Sequence, residues 1–354
     1  MKNKKTWLIV LVVIGLGAFL LRGKIALFFA SERHTINQET LTFYIDAPMK
    51  LESLADSLFD KGCLKRKGDL ILVGEYKGLD EDNIALGKYE IKPGVNLKTL
   101  LNGFTLNSNG NGNGELEVDV TFNNCLDVYE VAGKVAQSCM VDSAELIDYL
   151  LSSETLNHYG FTEATVGTLF LPNTYRMFWD VTPESFVERM AKEYKRFWNP
   201  HRVARVKQIG LETQSEVVTI ASIVYAEQNR KPEEWPRIAG LYLNRVNRGM
   251  LLQSDPTLLF CKPPGQRKQR RVYNRDKKVD CPYNTYMYPG VPPGPILIPP
   301  SKVIEAVLNA EKHNYIFMCA KPEYSGLHNF STTNAQHNRY ANVYRRWLDQ
   351  QGIR

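Results

Sequence analysis

The segment Leu41-Thr42-Phe43-Tyr44-Ile45 is short, apolar and rich in strand-forming residues. Just after it, Leu51, Leu54, Ala55 and Leu58 fall at helical spacing ahead of Gly62. The first run predicts a strand and the second a helix, joined in one strand-turn-helix unit. The same order returns at residues 118–122 followed by Val128, Val131, Ala132 and Val135, with Ala132 in the place of Ala55. A weaker third version passes through Tyr89, Ile91, Pro93, Gly94, Leu97, Leu100 and Leu101. The chain therefore reads as carrying an internal repeat of strand and helix.

Around these units the sequence changes character twice. Gly74, Gly78 and Gly87 punctuate the stretch between the first and third copies, and residues 107–114 form a linker of Asn, Ser and Gly. Residues 143–198 show a mostly helical pattern, interrupted at 169–175 by a segment containing Pro172. From Glu216 onward Asn, Gln, Tyr, Pro and His become dense among short apolar runs, the mixture that a polar cleft on a packed scaffold needs.

A chain of 354 residues with 44% hydrophobic content can bury more than one core, which argues against disorder. Its net charge of +6 is modest and does not call for a nucleic-acid partner. Residues 6–21 form an apolar run behind Lys2, Lys4 and Lys5, and residues 25–30 extend it after Arg22 and Lys24. The run reads as a transmembrane signal anchor over 6–30, with the rest of the chain outside the cytoplasm; a cleaved signal peptide is the alternative. Six cysteines would then stand in an oxidising compartment. They lack the spacing of a metal site, and Cys261 and Cys281, which flank the basic loop 262–278, are the pair most suited to a disulfide, with free buried thiols as the alternative. That loop reads as a solvated segment or as a contact for carboxylates or anionic headgroups. No metal and no cofactor is called for.

The chemistry concentrates near Glu227. Ile220, Ile223 and Val224 share one helical face, and Glu227 continues it, so a carboxyl lies on an apolar stripe. Desolvation there would raise its pKa toward the range of a general acid. The competing reading is an end-of-helix Glu escaping to solvent before Lys231 and Pro232. A second helix follows, opened by Pro232 and Glu233, with Ile238, Leu241, Tyr242 and Arg245 on one face and Gly249 at its end. Leu251-Leu252-Gln253-Ser254-Asp255-Pro256-Thr257 reads as a polar turn. Asp255 is either the second carboxylate of a glycosidase pair or a turn residue ahead of Pro256. Tyr283-Asn284-Thr285-Tyr286 offers aromatic and amide groups suited to sugars, beside the rigid loop Gly290-Val291-Pro292-Pro293-Gly294-Pro295-Ile296; both also read as ordinary turns.

These motifs, in this order, resemble the endolytic murein transglycosylase (YceG-like) family. Ala221-Ser222-Ile223-Val224-Tyr225-Ala226-Glu227, Leu243-Asn244-Arg245, the turn through Gln253, Ser254 and Asp255, Tyr283 to Tyr286 and Pro292 to Ile296 carry the likeness. Leu169 to Tyr175, Phe330-Ser331-Thr332-Thr333 and His337-Asn338 extend it over nearly the whole chain beyond the anchor. The resemblance implies an α+β fold: a transmembrane helix, LysM-like strand-helix units and a mixed α+β catalytic region. It also implies a single-pass protein of the inner (cytoplasmic) membrane that cuts peptidoglycan glycan strands outside the cytoplasm, possible partners being peptidoglycan synthases. Glu227 falls where the family carries its catalytic Glu, while Asn244, Gln253, Ser254, Asp255, Tyr283, Asn284, Thr285, Tyr286, His337 and Asn338 are the candidates for holding the sugars. The chain departs from the family pattern at Tyr225, Gln228 and Asn173.

On this reading residues 1–5 form a cytoplasmic tail, 6–30 the anchor and 31–115 a LysM-like membrane-proximal region. Residues 116–205 hold the second strand-helix unit with a helical region, and 206–354 the catalytic region. Two other functions fit the same residues: a hydrolase with Glu227 as acid and Asp255 activating water, and a non-catalytic scaffold that binds the wall through the LysM-like units.

Overall fold

The computed structural model describes residues 22–263 and 272–352. Residues 1–21, with most of the expected anchor, and residues 264–271 of the basic loop lie outside the described residues. A helix, α1, occupies 22–31, and among the described residues no helix is long and apolar enough to cross a membrane.

The chain divides into two compact units. The first holds residues up to Asp119, together with 138–140 and 176–181. Here β1 (Leu41–Ile45) is followed by α2 (Leu51–Asp60) and α3 (Lys67–Lys77), and the chain returns as β2 (Gly87–Ile91) before α4 (Leu97–Phe104). β1 and β2 pair antiparallel, with Phe43 opposite Tyr89 and Ile45 opposite Gly87. Alternation along the two strands turns Phe43, Ile45, Tyr89 and Ile91 inward onto Leu54, Ala55, Leu58 and Leu101, as period-two and helical spacing demand. The first and third of the expected strand-helix units thus meet through their strands.

The second unit holds residues 120–137, 141–175 and everything from Thr182 onward. β3 (Glu117–Phe122) leads into α5 (Val128–Ala136), α6 (Ser143–Leu151) and α7 (Ser153–Tyr159). The interruption expected at 169–175 becomes a short 3-10 turn and β4 (Asn173–Phe178), which pairs with β3. Then follow α8 (Pro183–Phe197), α9 (Pro200–Gln208), α10 (Gln214–Glu227), α11 (Trp235–Asn247), α12 (Asp255–Phe260), α13 (Ser301–Leu308), the antiparallel hairpin β5 (Phe317–Ala320) and β6 (His328–Ser331), and α14 (Asn334–Gln350).

α10 is the axis of this unit. Its start is fixed by a capping box in which the Thr213 hydroxyl accepts from the Glu216 N–H and the Glu216 carboxylate accepts from Thr213 N–H. Every residue from Val217 to Val224 is buried. The sequence pointed to one apolar face; the structure surrounds the helix instead, with α9, α11, α12 and α13 packed against it. Full burial of Val217, Ile220, Ile223 and Val224 contributes roughly 1.5–3 kcal/mol each. Close approach also recruits two glycines. A Cβ on Gly240 of α11 would strike the Glu311 carbonyl, and one on Gly294 would strike that of Ala164.

Candidate active site

Glu227 is the last residue of α10, and the helix stops there because Gln228 turns to an extended conformation. The Gln228 side chain is buried and fully engaged. Its Oε1 accepts from the N–H groups of Arg230 and Lys231, while its Nε2 donates to Glu234 Oε2 at 3.0 Å and to the Gly326 carbonyl at 2.8 Å. Trp235 Nε1 donates to the Gln228 carbonyl at 2.6 Å. Glu234 in turn accepts from the N–H of His328 and pairs with its ring Nδ1 at 2.8 Å. The end of α10 is therefore clamped to β6, and Glu227 does not fray into solvent.

Two hydroxyls donate to the same oxygen of Glu227. Tyr242 of α11 reaches Oε1 at 2.9 Å and Ser254 reaches it at 2.6 Å. Burial raises the pKa of this carboxyl, and the Asp255 charge adds to the rise; the two hydroxyls pull the other way. Burial, with the Glu227 charge second, keeps the Tyr242 phenol well above its ordinary pKa, so it remains a donor. With both donors on Oε1, the neutral acid carries its proton on Oε2, the oxygen free of protein bonds among the described residues. This arrangement suits a proton donor aimed outward.

Two clefts open at Glu227. The first, about 440 Å³, is lined by Tyr242, Arg245, Gln253, Asp255 and Tyr286, with Phe317 and Met318 from β5 and Asn334, His337 and Asn338 from α14. The second, about 680 Å³, is lined by residues 228–230, the β5–β6 hairpin and the last turns of α14. Among the described residues they share Glu227 alone, so this side chain stands where they meet.

Of the residues singled out from sequence, Gln253, Asp255, Tyr286, His337 and Asn338 reach the first cleft. Asp255 opens α12 and accepts from the Tyr286 hydroxyl at 2.7 Å, which, after burial, holds that phenol above its ordinary pKa. Gln253 adopts a left-handed φ of 52°, and the buried Arg245 fixes it there. Arg245 Nη1 donates to the carbonyls of Leu251 and Leu252 and to Gln253 Oε1, and its Nε donates to the Ile316 carbonyl. His337 stacks on Phe317 with centroids 5.3 Å apart; burial, then the charges of Arg245 and Arg345, lower its pKa, and its Nδ1 is buried without a partner among the described residues.

The other candidates line neither cleft. Ser254 and Asn284 are 0% exposed and Thr285 is 2% exposed. Ser254 orients Glu227. Thr285 Oγ1 accepts from Ser254 N–H and bonds Thr257 Oγ1, tying two turns together. Asn284 donates to the carbonyls of Lys277 and Val279 and accepts from Tyr286 N–H, a brace for its own loop. Asn244 donates to the carbonyls of His313 and Tyr315, holding the approach to β5. Tyr283 packs on Phe260 at 4.5 Å, outside both clefts. Polar residues in a short motif turn inward here because backbone groups of irregular loops need partners.

Sequence reasoning placed Tyr242 and Arg245 on a helix face without assigning them a role; a phenol and a guanidinium on an otherwise apolar stripe were the available signal. Nothing local marks Glu234 and His328, which are 94 positions apart. Cys261 and Cys281 form a disulfide with Cα atoms 5.9 Å apart, and Cys63, Cys125, Cys139 and Cys319 are free. Of the departures from the family pattern, Tyr225 donates to Asn124 Oδ1, Gln228 is the clamp described above, and the Asn173 side chain accepts from Thr174 N–H at the start of β4. Among the described residues no group of three or more His, Cys, Asp or Glu side chains is placed to hold a metal ion.

Several known proteins are similar to this chain. An endolytic murein transglycosylase of Bacillus subtilis is 23% identical over 323 residues, covering 87% of this chain and 86% of its own. One of Streptococcus pneumoniae is 33% identical over 175 residues, 48% of this chain but 31% of the longer streptococcal protein. The crystal structure of a yceG-like protein from Listeria monocytogenes shares the fold with a TM-score of 0.53 at 22% identity, over 86% of this chain and 99% of that one. The pattern of the YceG-like family matches residues 43–343, and the chain belongs to that family.

Proposed function

We propose that this protein is an endolytic lytic transglycosylase that cuts MurNAc-GlcNAc bonds within peptidoglycan glycan strands. The observation that carries the reading is the one-sided bonding of Glu227: a buried carboxyl with two donors on Oε1 and, among the described residues, none on Oε2, at the junction of two clefts. Oε2 protonates the glycosidic oxygen as its bond to C1 breaks. The resulting carboxylate then takes the proton of the MurNAc 6-hydroxyl while that oxygen bonds to C1, giving a 1,6-anhydroMurNAc end and consuming no water. One carboxyl serves both steps, which suits a site where Asp255 is already bonded by Tyr286. The names of the Bacillus and Streptococcus relatives agree with this activity.

The same reading anchors the chain in the inner membrane through residues 6–30, with the catalytic unit outside the cytoplasm. The Cys261–Cys281 disulfide supports that side of the membrane, because such bonds persist in oxidising compartments. Cutting within nascent strands would limit their length and suits a peptidoglycan synthase as partner. The β1–α2–α3–β2 unit would hold glycan in the LysM manner.

Mass spectrometry of products from purified glycan strands tests the chemistry. Ends of 1,6-anhydroMurNAc are expected; reducing MurNAc ends would favour the hydrolase in which Asp255, which lines the same cleft, activates water.

A further inference from the structure

The second cleft has an aromatic wall that the chemistry at Glu227 does not use. Tyr344 and Trp347 stand three residues apart on α14 and therefore on one face, with ring centroids 5.7 Å apart and planes inclined by 27°. Tyr324, at the tip of the β5–β6 hairpin, meets the Trp347 ring edge-on at 4.7 Å and leaves 72% of its surface exposed. The hairpin holds it there through two successive non-glycine residues in the left-handed region, Glu323 at φ 69° and Tyr324 at 52°. Such conformations persist where surrounding structure enforces them, and they cluster at ligand sites. α14 buries none of its residues fully, so the core does not claim this aromatic face. Arg230 and Lys321 stand at the rim.

We propose that this cleft is a saccharide subsite in which Trp347, flanked by Tyr344 and Tyr324, is the platform for one sugar ring of a strand that continues past Glu227 into the first cleft. The occupant follows from continuity, because Glu227 lines both clefts and an internal cut needs sugar on each side of the severed bond. The C–H face of a pyranose lies flat on an aromatic ring, leaving its hydroxyls and N-acetyl group to the rim. Arg230 and Lys321 suit the carboxylates that a muramyl residue and its stem peptide carry. The proposal rests on the glycan-cleaving reading, yet it is tested by binding alone.

The test uses the full chain carrying Glu227→Gln, so that turnover is too slow to disturb the titration, and a tetrasaccharide of alternating N-acetylglucosamine and N-acetylmuramic acid, titrated by calorimetry. Trp347→Ala is expected to weaken binding by about tenfold or more, Trp347→Phe to restore most of it, and the exposed Tyr324→Ala to show a smaller loss at an unchanged melting temperature. With Glu227 intact, Trp347→Ala should raise KM more than it lowers kcat. Equal affinity in the parent, Trp347→Ala and Tyr324→Ala proteins, or no binding by the parent, would overturn the subsite. Such a result would assign the aromatic face to a protein partner, while the cleavage reading stands or falls separately on the chemistry of the product ends.

Discussion

The Ser254 hydroxyl lies 2.6 Å from Glu227 Oε1, and the Ser254 N–H is held in turn by Thr285 Oγ1 at 3.0 Å. The orientation of the acid thus depends on two turns distant in sequence, one carrying Gln253 to Asp255 and the other Tyr283 to Tyr286. Changes at either turn should register as chemistry at Glu227.

Replacing the acid is the first case. Glu227→Gln keeps an oxygen for Tyr242 and Ser254 but has no proton to transfer, and loss of general acid/base action costs about 10²- to 10⁴-fold. Because one group serves both steps in the proposed reaction, turnover of purified glycan should fall toward the upper end, with the melting temperature nearly unchanged. Asp255→Asn should retain measurable anhydro product.

Removing the hydroxyls acts through the pKa. Tyr242 and Ser254 favour the charged form of Glu227, so Tyr242→Phe or Ser254→Ala should raise its pKa further. The alkaline limb of the kcat/KM profile is expected to move to higher pH in both variants, alongside a lower kcat. A limb that moved down, or did not move, would detach these hydroxyls from the acid.

A second titration lies in the first unit. Burial, reinforced by the Asp180 carboxylate, raises the Glu115 pKa to about 8. A carboxyl whose folded pKa exceeds its unfolded value contributes stability that is complete below the unfolded pKa and is lost as pH rises through the folded one. Thermal stability should therefore decline between about pH 4.5 and 8, and Glu115→Gln should flatten that decline.

The disulfide should matter locally. Cys261 and Cys281 close a loop with a sequence separation of 20, worth about 3 kcal/mol on a loop-entropy basis. Asn284 N–H donates to the Cys281 carbonyl, so reduction also loosens the turn that supports Ser254. Reductant, or paired Cys261→Ser and Cys281→Ser, should lower both the melting temperature and kcat.

β1, α2, β2 and α4 of the first unit were legible because Phe43, Ile45 and Leu54 obey simple periods on elements with one buried face, whereas α3 was not, because Gly74 inside it read as punctuation. The encirclement of α10 was less legible, since its apolar residues fill more than one face and periodicity favours the strongest stripe. The position of Glu227 at the end of that stripe left an escape to solvent equally open, and it was the resemblance of the surrounding motif that singled it out. The inward turn of Ser254, Asn284 and Thr285 could not be read, because sequence lists polar groups without saying whether a sugar or a loop carbonyl satisfies them. Glu234 and His328 became partners only through the folded path of the chain.

Because α10 is buried from Val217 to Val224 and its end is clamped through Gln228 and Trp235, Glu227 is held to the unit that surrounds it. Local opening at Glu227 would require the surrounding helices to part, so amides in the middle of α10 belong among the slowest to exchange with solvent. Thermal inactivation should then coincide with the melting of the second unit.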